Sequence, residues 1–404
     1  MKAVVFHAIG DIRLDEVSEP RLEAPTDAIV RVTTSAICGT DLHLVRGTIV
    51  GMRPGTILGH EAVGIVEELG SDVRNLEQGD RVVIASTIAC GACAYCRAGY
   101  YSQCDHANPQ GPLAGTAFFG GPEGSGSFNG TQAEYVRVPY AHTGLVKLPD
   151  DVTDEDGVLL SDIFPTAYFG TKLAELKRGD TICIFGCGPV GQLCITSALM
   201  LGAGRVLAVD HVADRLEMAA RQGAEAIDFE AEDPVETIRR LTGGIGVDRA
   251  IDAVGVDACS AHHGPASQRP RQERDQFEEE LDRIAPNQNP DGDNWRPGDA
   301  PSQVLSWAVD ALCKAGTLSI VGAYPPSATT FPIGKAMNKN LTLNMGNCNH
   351  RKYIPELLQL IRTHALSPSE ILTNLSSLDA AIQAYRAFDR REPGWTKVEL
   401  RVAA

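Results

Sequence analysis

The fold of this chain is decided by the stretch TICIFGCGPVG, residues 181–191. Its first five residues form an apolar run that predicts a buried strand, and a helix is predicted over Pro189–Leu201. The glycines between them follow the pattern G-x-G-x-x-G. Gly186 allows a tight turn, Gly188 lets a pyrophosphate approach the backbone, and Gly191 lets the helix pack on the strand. This context predicts a dinucleotide site whose phosphates face the N-terminus of the helix.

An acidic residue ends the next predicted strand. Asp210 closes the run Arg205–Asp210, about twenty residues beyond the glycines, as this type of site requires. Its carboxylate would accept hydrogen bonds from ribose hydroxyls and repel a 2′-phosphate, which favours NAD over NADP. Arg215 is expected to lie against the adenosine, whereas a cation at His211 would partly tolerate a 2′-phosphate. The alternative is a glycine-rich turn with a capping aspartate.

Strands and helices alternate on the C-terminal side of this motif. A helix is predicted near 213–222, and further strands are predicted over Val247–Val254 and Thr317–Val321. Such alternation predicts an α/β fold with a parallel, doubly wound sheet. We expect the chain to leave this sheet near Lys335, and we expect Lys397–Val402 to form a strand that returns to the other domain.

The remainder of the sequence has two further patterns. Residues 1 to about 85 hold short β-branched runs that Gly and Pro interrupt, as in an all-β domain. Residues 105–131 are rich in Gly and Pro and predict an irregular loop. Residues 258–302 are polar and rich in Pro, and they predict an insertion in which Gln272–Ile284 forms one amphipathic helix.

Four cysteines lie close together in the sequence. Cys90, Cys93, Cys96 and Cys104 have the spacing C-x2-C-x2-C-x7-C, which suits a closed tetrahedral zinc site. Disulfides and an iron–sulfur cluster are the alternatives, although no Cys-Pro follows the last thiol. Because four thiolates fill the coordination sphere of zinc, the quartet predicts a structural ion with no position for a substrate.

Length, charge and composition narrow the class of protein. The 404 residues suggest two or three domains. The net charge is −16 and we find no long basic run, which argues against a nucleic-acid partner. We find neither a charged leader before an apolar stretch nor an apolar run of about 18 residues, so no membrane span is expected. Eleven cysteines without such a leader predict a cytoplasmic protein.

A second set of metal-ligating residue types lies in the β-rich part. Cys38 begins the run Cys-Gly-Thr-Asp-Leu-His, and His60 stands in Gly-His-Glu. Taken singly, each residue is more often a buried thiol or a core histidine. Their presence beside the cysteine quartet and the dinucleotide motif favours a second zinc site, with Cys38 and His60 as two of its ligands.

On these motifs the chain resembles the zinc-dependent medium-chain alcohol dehydrogenases, over nearly its whole length except 258–302. The resemblance implies a GroES-like, β-rich catalytic domain formed by residues 1–160 and 335–404, with a structural zinc lobe at 88–106. It also implies a Rossmann domain for the cofactor at 161–334.

The resemblance further implies the third ligand of the catalytic zinc. The family commonly uses a cysteine, but the corresponding position in Leu159–Thr166 is Asp162. This variant resembles the formaldehyde dehydrogenases that do not need glutathione, and the related dismutases. Cys, His and Asp carry the same total charge as two Cys and one His, and Asp is an accepted zinc ligand. The alternative reading of Asp162 is a helix N-cap.

The neighbouring residues acquire roles from the same resemblance. Thr40 would take the substrate's hydroxyl proton and His43 would pass it to solvent, while a hydride moves to the nicotinamide. Asp41 would hold His60, and Glu61 would be a transient zinc ligand or an electrostatic neighbour. A surface position without function is the alternative for His43. The expected cofactor contacts are Gly39, Thr40, Gly186, Gly188, Pro189, Val190, Gly191, Asp210, Arg215 and Val254.

These observations predict an oxidoreductase that binds two zinc ions and NAD and acts on a small alcohol or aldehyde hydrate. A dehydrogenase of larger secondary alcohols or polyols fits the same motifs, with NAD or NADP. A zinc-stabilised NAD-binding protein without activity is the third reading, but such a protein would not need the catalytic ligands. We expect a homotetramer, with a homodimer as the alternative.

Overall fold

The structure is a computed structural model that describes residues 1–108, 110, 115–268 and 271–402. Its strands are β1 (Lys2–Ala8), β2 (Asp11–Glu16), β3 (Ala28–Ile37), β4 (Ala62–Leu69), β5 (Arg81–Ile84), β6 (Tyr135–Val138), β7 (Leu145–Lys147), β8 (Thr181–Phe185), β9 (Arg205–Asp210), β10 (Glu225–Asp228), β11 (Val247–Asp252), β12 (Leu312–Ile320), β13 (Thr342–Met345), β14 (Asn374–Ser377) and β15 (Val398–Arg401). Its helices are α1 (Gly39–Arg46), α2 (Ala94–Arg97), α3 (Ala141–Gly144), α4 (Asp154–Ser161), α5 (Ile163–Leu173), α6 (Pro189–Met200), α7 (Ala213–Arg221), α8 (Pro234–Leu241), α9 (Arg271–Ile284), α10 (Gln303–Ala311), α11 (Ile333–Asn338), α12 (His350–Arg362) and α13 (Ala381–Asp389).

The predicted parallel sheet is present and doubly wound. Its six strands have the order β10-β9-β8-β11-β12-β13, and every neighbouring pair is parallel. Alternate residues of β8 enter different cores: Ile182 and Ile184 pack with the layer that holds α5 and α6, whereas Cys183 and Phe185 pack with α8 and α10. Helices therefore cover both faces, and the order of strands reverses next to β8, where such sheets bind dinucleotides.

One expectation about this sheet is wrong. The chain does not leave it near Lys335, because β13 pairs in parallel with β12 and adds the sixth strand. The burial pattern explains why the sequence did not predict this strand. All four of its residues are exposed or half-buried, so β13 lacks the apolar run of a central strand. The boundary expected at 335 therefore falls too early, because β13 extends the sheet to Met345.

The β-rich domain is organised around β3. This strand pairs with β4, β6 and β15, and the last of these confirms that the C-terminal strand returns to the first domain. Ser35 of β3 lies opposite Ala62 of β4 in an antiparallel register. Because the end of one strand therefore meets the start of the other, Cys38 is brought next to His60 and Glu61 by the sheet itself.

The insertion at 258–302 contains the predicted amphipathic helix, observed as α9. The segment after α9 packs against the β-rich domain, where the Trp295 side chain is only 1% exposed in the core. The backbone N–H of Trp295 donates to Asp389 Oδ2 at 2.7 Å. Asp389 also accepts from Arg46 Nε at 2.9 Å, and Arg46 pairs with Asp257 of the cofactor domain. A buried ion network thus joins the insertion to both domains.

Two further sequence expectations concern loops and membranes. The predicted irregular loop at 105–131 contains a short 3-10 helix at Glu123–Ser125, while residues 109 and 111–114 lie outside the described residues. Within the described ranges, every helix is too short or too polar to cross a bilayer.

Candidate active site

Four buried side chains that can ligate a metal converge at one place in the structure. Cys38 follows β3, His60 and Glu61 precede β4, and Asp162 lies between α4 and α5. One potential ligand atom from each of the four lies within 4.8 Å of the others, and all four residues are buried. The strand pairing brings the first three together, whereas the fourth arrives through the packing of α4 on the sheet.

The distances within this cluster suit a metal. Asp162 Oδ2 lies 3.7 Å from Cys38 Sγ and 3.3 Å from His60 Nε2. Both ring nitrogens of His60 and Oε1 of Glu61 are buried without hydrogen-bond partners. Buried polar atoms are nearly always satisfied, so unsatisfied atoms facing a thiol and a carboxylate fit a bound cation. Thiolate, imidazole and carboxylate are the donors that zinc accepts, so the residues present fit this ion.

Asp162 occupies the N-cap position of α5, but its carboxylate makes no capping hydrogen bond. Instead, Oδ1 accepts hydrogen bonds from His350 Nε2 at 2.6 Å and from Thr166 Oγ1 at 3.1 Å. Burial would raise the pKa of Asp162, but the hydrogen bond from His350 and the positive charge of the nearby His60 hold it well below its usual range. The side chain is thus ionised and turned into the cluster, which disfavours the reading of a simple helix cap.

His60 is flanked by Asp41, as expected. Asp41 Oδ1 lies 3.1 Å from His60 Nδ1, within ion-pair distance but without hydrogen-bond geometry. Asp41 Oδ2 accepts from the backbone N–H of Cys38 at 2.9 Å and from Gln132 Nε2 at 3.2 Å. Burial opposes a charge on His60, but Asp41 and Cys38 outweigh it and raise the pKa of the imidazole well above its usual value. A metal at Nε2 would take the place of that proton.

The two residues expected to move protons lie on α1. Thr40 Oγ1 is 4.0 Å from Cys38 Sγ, at the edge of the metal cluster. His43 is only 5% exposed, so the reading of a surface histidine is wrong. Its Nδ1 lies 2.7 Å from Thr48 Oγ1 and 3.4 Å from Asp257 Oδ2. Burial lowers the pKa of His43, and the positive charge of Arg46 lowers it further. The negative charge of Asp257 opposes this shift.

The glycine loop opens onto a large cleft next to these residues. Gly186 has a φ of +90° and leaves no room for a side chain, because a Cβ would meet the Val254 side chain at 2.5 Å. A Cβ on Gly191 would stand 1.8 Å from the carbonyl oxygen of Gly186, which confirms close packing of helix on loop. The expected cofactor contacts that line the cleft are Gly39, Gly186, Gly188, Pro189, Asp210, Arg215 and Val254. Thr40, Val190 and Gly191 are not among its lining residues.

Asp210 is held by the backbone around it. Oδ2 accepts from the N–H of Cys187 at 2.7 Å, and Oδ1 accepts from those of His211 and Val212 at 2.7 and 3.0 Å. Burial would raise the pKa of Asp210, but the positive charge of Arg215 and the backbone N–H donors outweigh burial and lower the pKa, so the carboxylate is ionised. An anionic carboxylate therefore lines the cleft at Asp210.

Four residues of this site were missed by sequence reasoning. His350 contacts Asp162, Lys397 pairs with Glu61, Asp257 faces His43, and Arg391 lines the cofactor cleft with its Nη1 3.2 Å from Cys259 Sγ. Each stands in a segment without a recognisable motif, and each reaches the site through tertiary contacts. Only the knowledge that these ionisable residues are buried could have marked them as candidates. The sequence did not predict their burial.

The cysteine quartet forms a separate, compact lobe. All four residues are buried and unpaired in disulfides, and their sulfur atoms lie within 4.8 Å of one another. Backbone N–H groups donate to three of the sulfurs, for example from Cys93 to Cys90 at 3.3 Å and from Cys90 to Cys104 at 3.2 Å. Such donors stabilise thiolates, so the lobe fits a structural zinc ion and not a set of disulfides.

Comparisons with known proteins agree with this architecture. Residues 24–150 match the family model described as alcohol dehydrogenase GroES-like domain, and residues 189–262 match the model described as zinc-binding dehydrogenase. The chain is 35% identical to an uncharacterized zinc-type alcohol dehydrogenase-like protein, AdhB, of Bacillus subtilis, over 99% of this chain and 100% of the relative.

Two further relatives bear on the chemistry. A glutathione-independent formaldehyde dehydrogenase of Pseudomonas aeruginosa is 34% identical, over 83% of this chain and 80% of its own length. Among solved structures, the alcohol dehydrogenase TADH from Thermus sp. ATN1 superposes with a TM-score of 0.80 at 35% identity, and the match covers 100% of both chains.

Proposed function

The chain belongs to the zinc-dependent medium-chain alcohol dehydrogenase family, and from this premise we propose that it transfers a hydride between a small alcohol or aldehyde hydrate and NAD. The observation that carries the proposal is the buried cluster of Cys38, His60 and Asp162 next to the cleft of the glycine loop. The cluster is adjacent to the cleft, because Gly39, which lines the cleft, directly follows Cys38 in the chain.

In the proposed mechanism, Cys38, His60 and Asp162 hold the catalytic zinc. The chemistry that zinc supplies when bound is polarisation of a substrate oxygen and a lower pKa of its proton. The thiolate and the carboxylate together offset a double positive charge, and His60 adds a neutral donor. Asp41 keeps the imidazole oriented from its other nitrogen.

The proton of the substrate would leave through α1. As the Thr40 hydroxyl accepts this proton through a hydrogen bond, it would give up its own proton to His43, a neutral imidazole that lines the cofactor cleft. Burial favours the neutral form that a base needs, and the nearby Asp257 limits how far the pKa of His43 falls. Thr48, whose hydroxyl lies 2.7 Å from Nδ1, fixes the orientation of the ring.

The preference for NAD rests on Asp210. Its ionised carboxylate can accept ribose hydroxyls and would repel a 2′-phosphate. Arg215 lines the same cleft and would lie against the adenosine, and Arg391 adds a second positive charge to the cleft. His211 also lines the cleft, and its burial lowers the pKa of the imidazole, so it adds little charge at neutral pH.

The choice of substrate rests on Asp162 and on the likeness to the formaldehyde dehydrogenase of Pseudomonas aeruginosa. For a hydrated aldehyde the same hydride and proton steps yield the acid. The second candidate is a dehydrogenase of larger secondary alcohols or polyols, which fits the same site residues; the Thermus relative is named an alcohol dehydrogenase and the Bacillus relative an alcohol dehydrogenase-like protein. A non-catalytic NAD-binding protein is disfavoured, because it would not need Cys38, His60 and Asp162 brought together as potential metal ligands.

A substrate panel combined with zinc counting tests this function. Alcohols and aldehydes of increasing size, formaldehyde included, are assayed with NAD and with NADP, and zinc is counted by mass spectrometry of the native protein. We expect two zinc ions per chain and the highest kcat/KM for small substrates with NAD. A preference for polyols or long alcohols would favour the second candidate.

A pair of variants tests the ligand assignment. Asp162→Ala should lose one zinc ion and nearly all turnover, but the protein should stay folded because it retains the quartet zinc. Asp150→Ala removes an exposed carboxylate before α4 and should behave as the wild type. Full activity with two zinc ions in Asp162→Ala would remove this residue from the site.

We also propose that the protein acts in the cytoplasm as a homotetramer, with a homodimer as the alternative. Light scattering coupled to size-exclusion chromatography of the purified chain distinguishes these assemblies.

A further inference from the structure

We propose that His350 is a positioning residue for the catalytic metal, and that the cysteine lobe at 88–106 holds His350 in place. The inference rests on the proposed function, because it takes Asp162 as a metal ligand. It assigns a role to a residue that carries no motif, and it links two zinc sites that the sequence presents as separate.

The two carboxylate oxygens of Asp162 have different partners. Oδ1 accepts from His350 Nε2 at 2.6 Å and from Thr166 Oγ1 at 3.1 Å. Oδ2 faces Cys38 Sγ at 3.7 Å and His60 Nε2 at 3.3 Å. Because two donors engage Oδ1, only Oδ2 is free to bind a metal, so the carboxylate is set up as a one-oxygen ligand.

Each ring nitrogen of His350 faces one hydrogen-bond partner. An ionised carboxylate can only accept, so Nε2 must carry the hydrogen that Oδ1 receives. Nδ1 lies 3.1 Å from Thr87 Oγ1, whose hydroxyl can donate to it. A neutral imidazole therefore satisfies both contacts, and Thr87 fixes the tautomer that Asp162 needs.

His350 is held by its place in α12 and by the contacts of the residues just before it. It is the first residue of α12 and is only 3% exposed. The residue before it, Asn349, accepts from the backbone N–H of Ser102 at 3.0 Å and from its hydroxyl at 3.1 Å. The same hydroxyl lies 3.0 Å from the carbonyl oxygen of Asn347.

These contacts come from the cysteine lobe and from the residue directly before it. Ser102 lies between Cys96 and Cys104, and Thr87 lies just before Cys90. Ser102 thus holds Asn347 and Asn349, and Thr87 contacts His350 itself. His350 in turn fixes the orientation of Asp162 through its hydrogen bond to Oδ1. Without it, the carboxylate at the N-terminus of α5 could turn to cap the helix or offer both oxygens, since among the described residues only Thr166 would still donate to Oδ1.

Partners that orient a metal ligand typically change metal affinity by about 10- to 100-fold. His350→Leu removes the hydrogen bond to Asp162, whereas His350→Gln keeps an N–H donor at a similar reach. We expect the leucine variant to lose its catalytic zinc to a chelator about 10- to 100-fold faster than the wild type. The quartet zinc should be retained and serves as an internal standard, and the glutamine variant should recover much of the loss.

Cobalt substitution supplies a readout that a merely structural role would not move. The visible absorption of Co(II) at the catalytic site reports the number and type of its ligands. His350→Leu should change this spectrum while the circular dichroism of the protein stays that of the wild type, and His350→Gln should restore it in part. Unchanged metal release and an unchanged cobalt spectrum in His350→Leu would overturn the proposal.

The link to the lobe has its own variants. Ser102→Ala removes the hydroxyl that holds Asn347 and Asn349, and it should speed release of the catalytic metal in the same direction but less than His350→Leu. Ser71→Ala, on the exposed surface, is the control and should match the wild type. If Ser102→Ala also matches the wild type, the lobe does not position His350.

The outcomes separate this inference from the proposed function. A wild-type protein that binds only the quartet zinc, or an Asp162→Ala variant that keeps both ions, would contradict the proposed function itself. Two ions in the wild type and one in Asp162→Ala, together with wild-type behaviour of His350→Leu, would contradict only the present inference. Should His350→Leu fail to fold, Thr87→Val, which keeps the ring and removes its hydroxyl partner, carries the same two measurements.

Discussion

Lys397 and Glu61 form an ion pair in which both side chains are completely buried. Lys397 Nζ also donates to the carbonyl oxygen of Ile37 at 3.0 Å, which ties the start of β15 to the end of β3. Burial raises the pKa of Glu61, and the positive charge of Lys397 opposes that rise. In the proposed site, Cys38 and Asp162 offset the charge of zinc, so Lys397 serves as the separate counter-ion of Glu61.

Lys397→Met should therefore destabilise the protein by leaving a buried carboxylate without a partner. Breaking one half of a buried pair typically costs about 3–5 kcal/mol, whereas replacing both halves with neutral groups costs much less. We expect the double variant Lys397→Met with Glu61→Gln to recover most of the loss, as measured by denaturant unfolding. Lys335→Met, at an exposed pair with Asp310, is the control. Equal losses in the single and double variants would contradict this account.

Cys96→Ser should mainly cost stability. A serine cannot supply the fourth thiolate, so we expect the loss of the structural zinc and a Tm lower by roughly 5 °C or more. The loosened lobe should also release the catalytic metal more readily. Cys313→Ser, outside both metal sites, should retain two zinc ions and the wild-type Tm. Normal stability with lost substrate binding in Cys96→Ser would show that the two metal sites are wrongly divided.

Asp210→Ser should shift the cofactor preference. Removing the anion abolishes its repulsion of a 2′-phosphate, so the ratio of kcat/KM for NADP to that for NAD should rise about tenfold or more. Steady-state kinetics with both cofactors measures this ratio. Asp228→Ser changes the aspartate at the end of the neighbouring strand β10, which does not line the cleft, and should leave the ratio unchanged. An unaltered ratio in Asp210→Ser would remove Asp210 from cofactor discrimination.

The pH dependence of turnover should report His43. Because a base is active when neutral and burial lowers the pKa of His43, the acid limb of its kcat/KM profile should lie below about pH 6.5. The pKa of Asp257 is lowered to about 2, where Arg46 and His43 outweigh the effect of burial, so this carboxylate stays ionised throughout such a profile. His43→Gln should abolish the limb and reduce kcat/KM by about tenfold or more.

Asp257→Asn tests whether His43 is the group that titrates in the acid limb. The carboxylate favours the charged imidazole, so its removal should lower the pKa of His43 further and move the acid limb to lower pH. Arg46 keeps its second partner, Asp389, in this variant. A limb that moves to higher pH would assign the titration to another group.

Local patterns accounted for most of what could be predicted. The strand, glycine turn and helix at 181–200 and the strand ending at Asp210 are observed with nearly the expected bounds, because apolar periodicity and glycine geometry act over a few residues. The edge strand β13 escaped prediction, since a strand with no buried residue has no apolar run.

The sequence by itself determined the doubly wound fold, the cysteine lobe and the placement of Cys38 and His60. Each of these depends on neighbours in the chain or on the pairing of two strands, which local residue patterns specify. Only the tertiary structure decided the partners of the cluster: His350 lies 188 residues from Asp162, and Lys397 lies 336 residues from Glu61. A single buried polar residue acquires its role from the elements packed around it, and no spacing in the sequence encodes that packing.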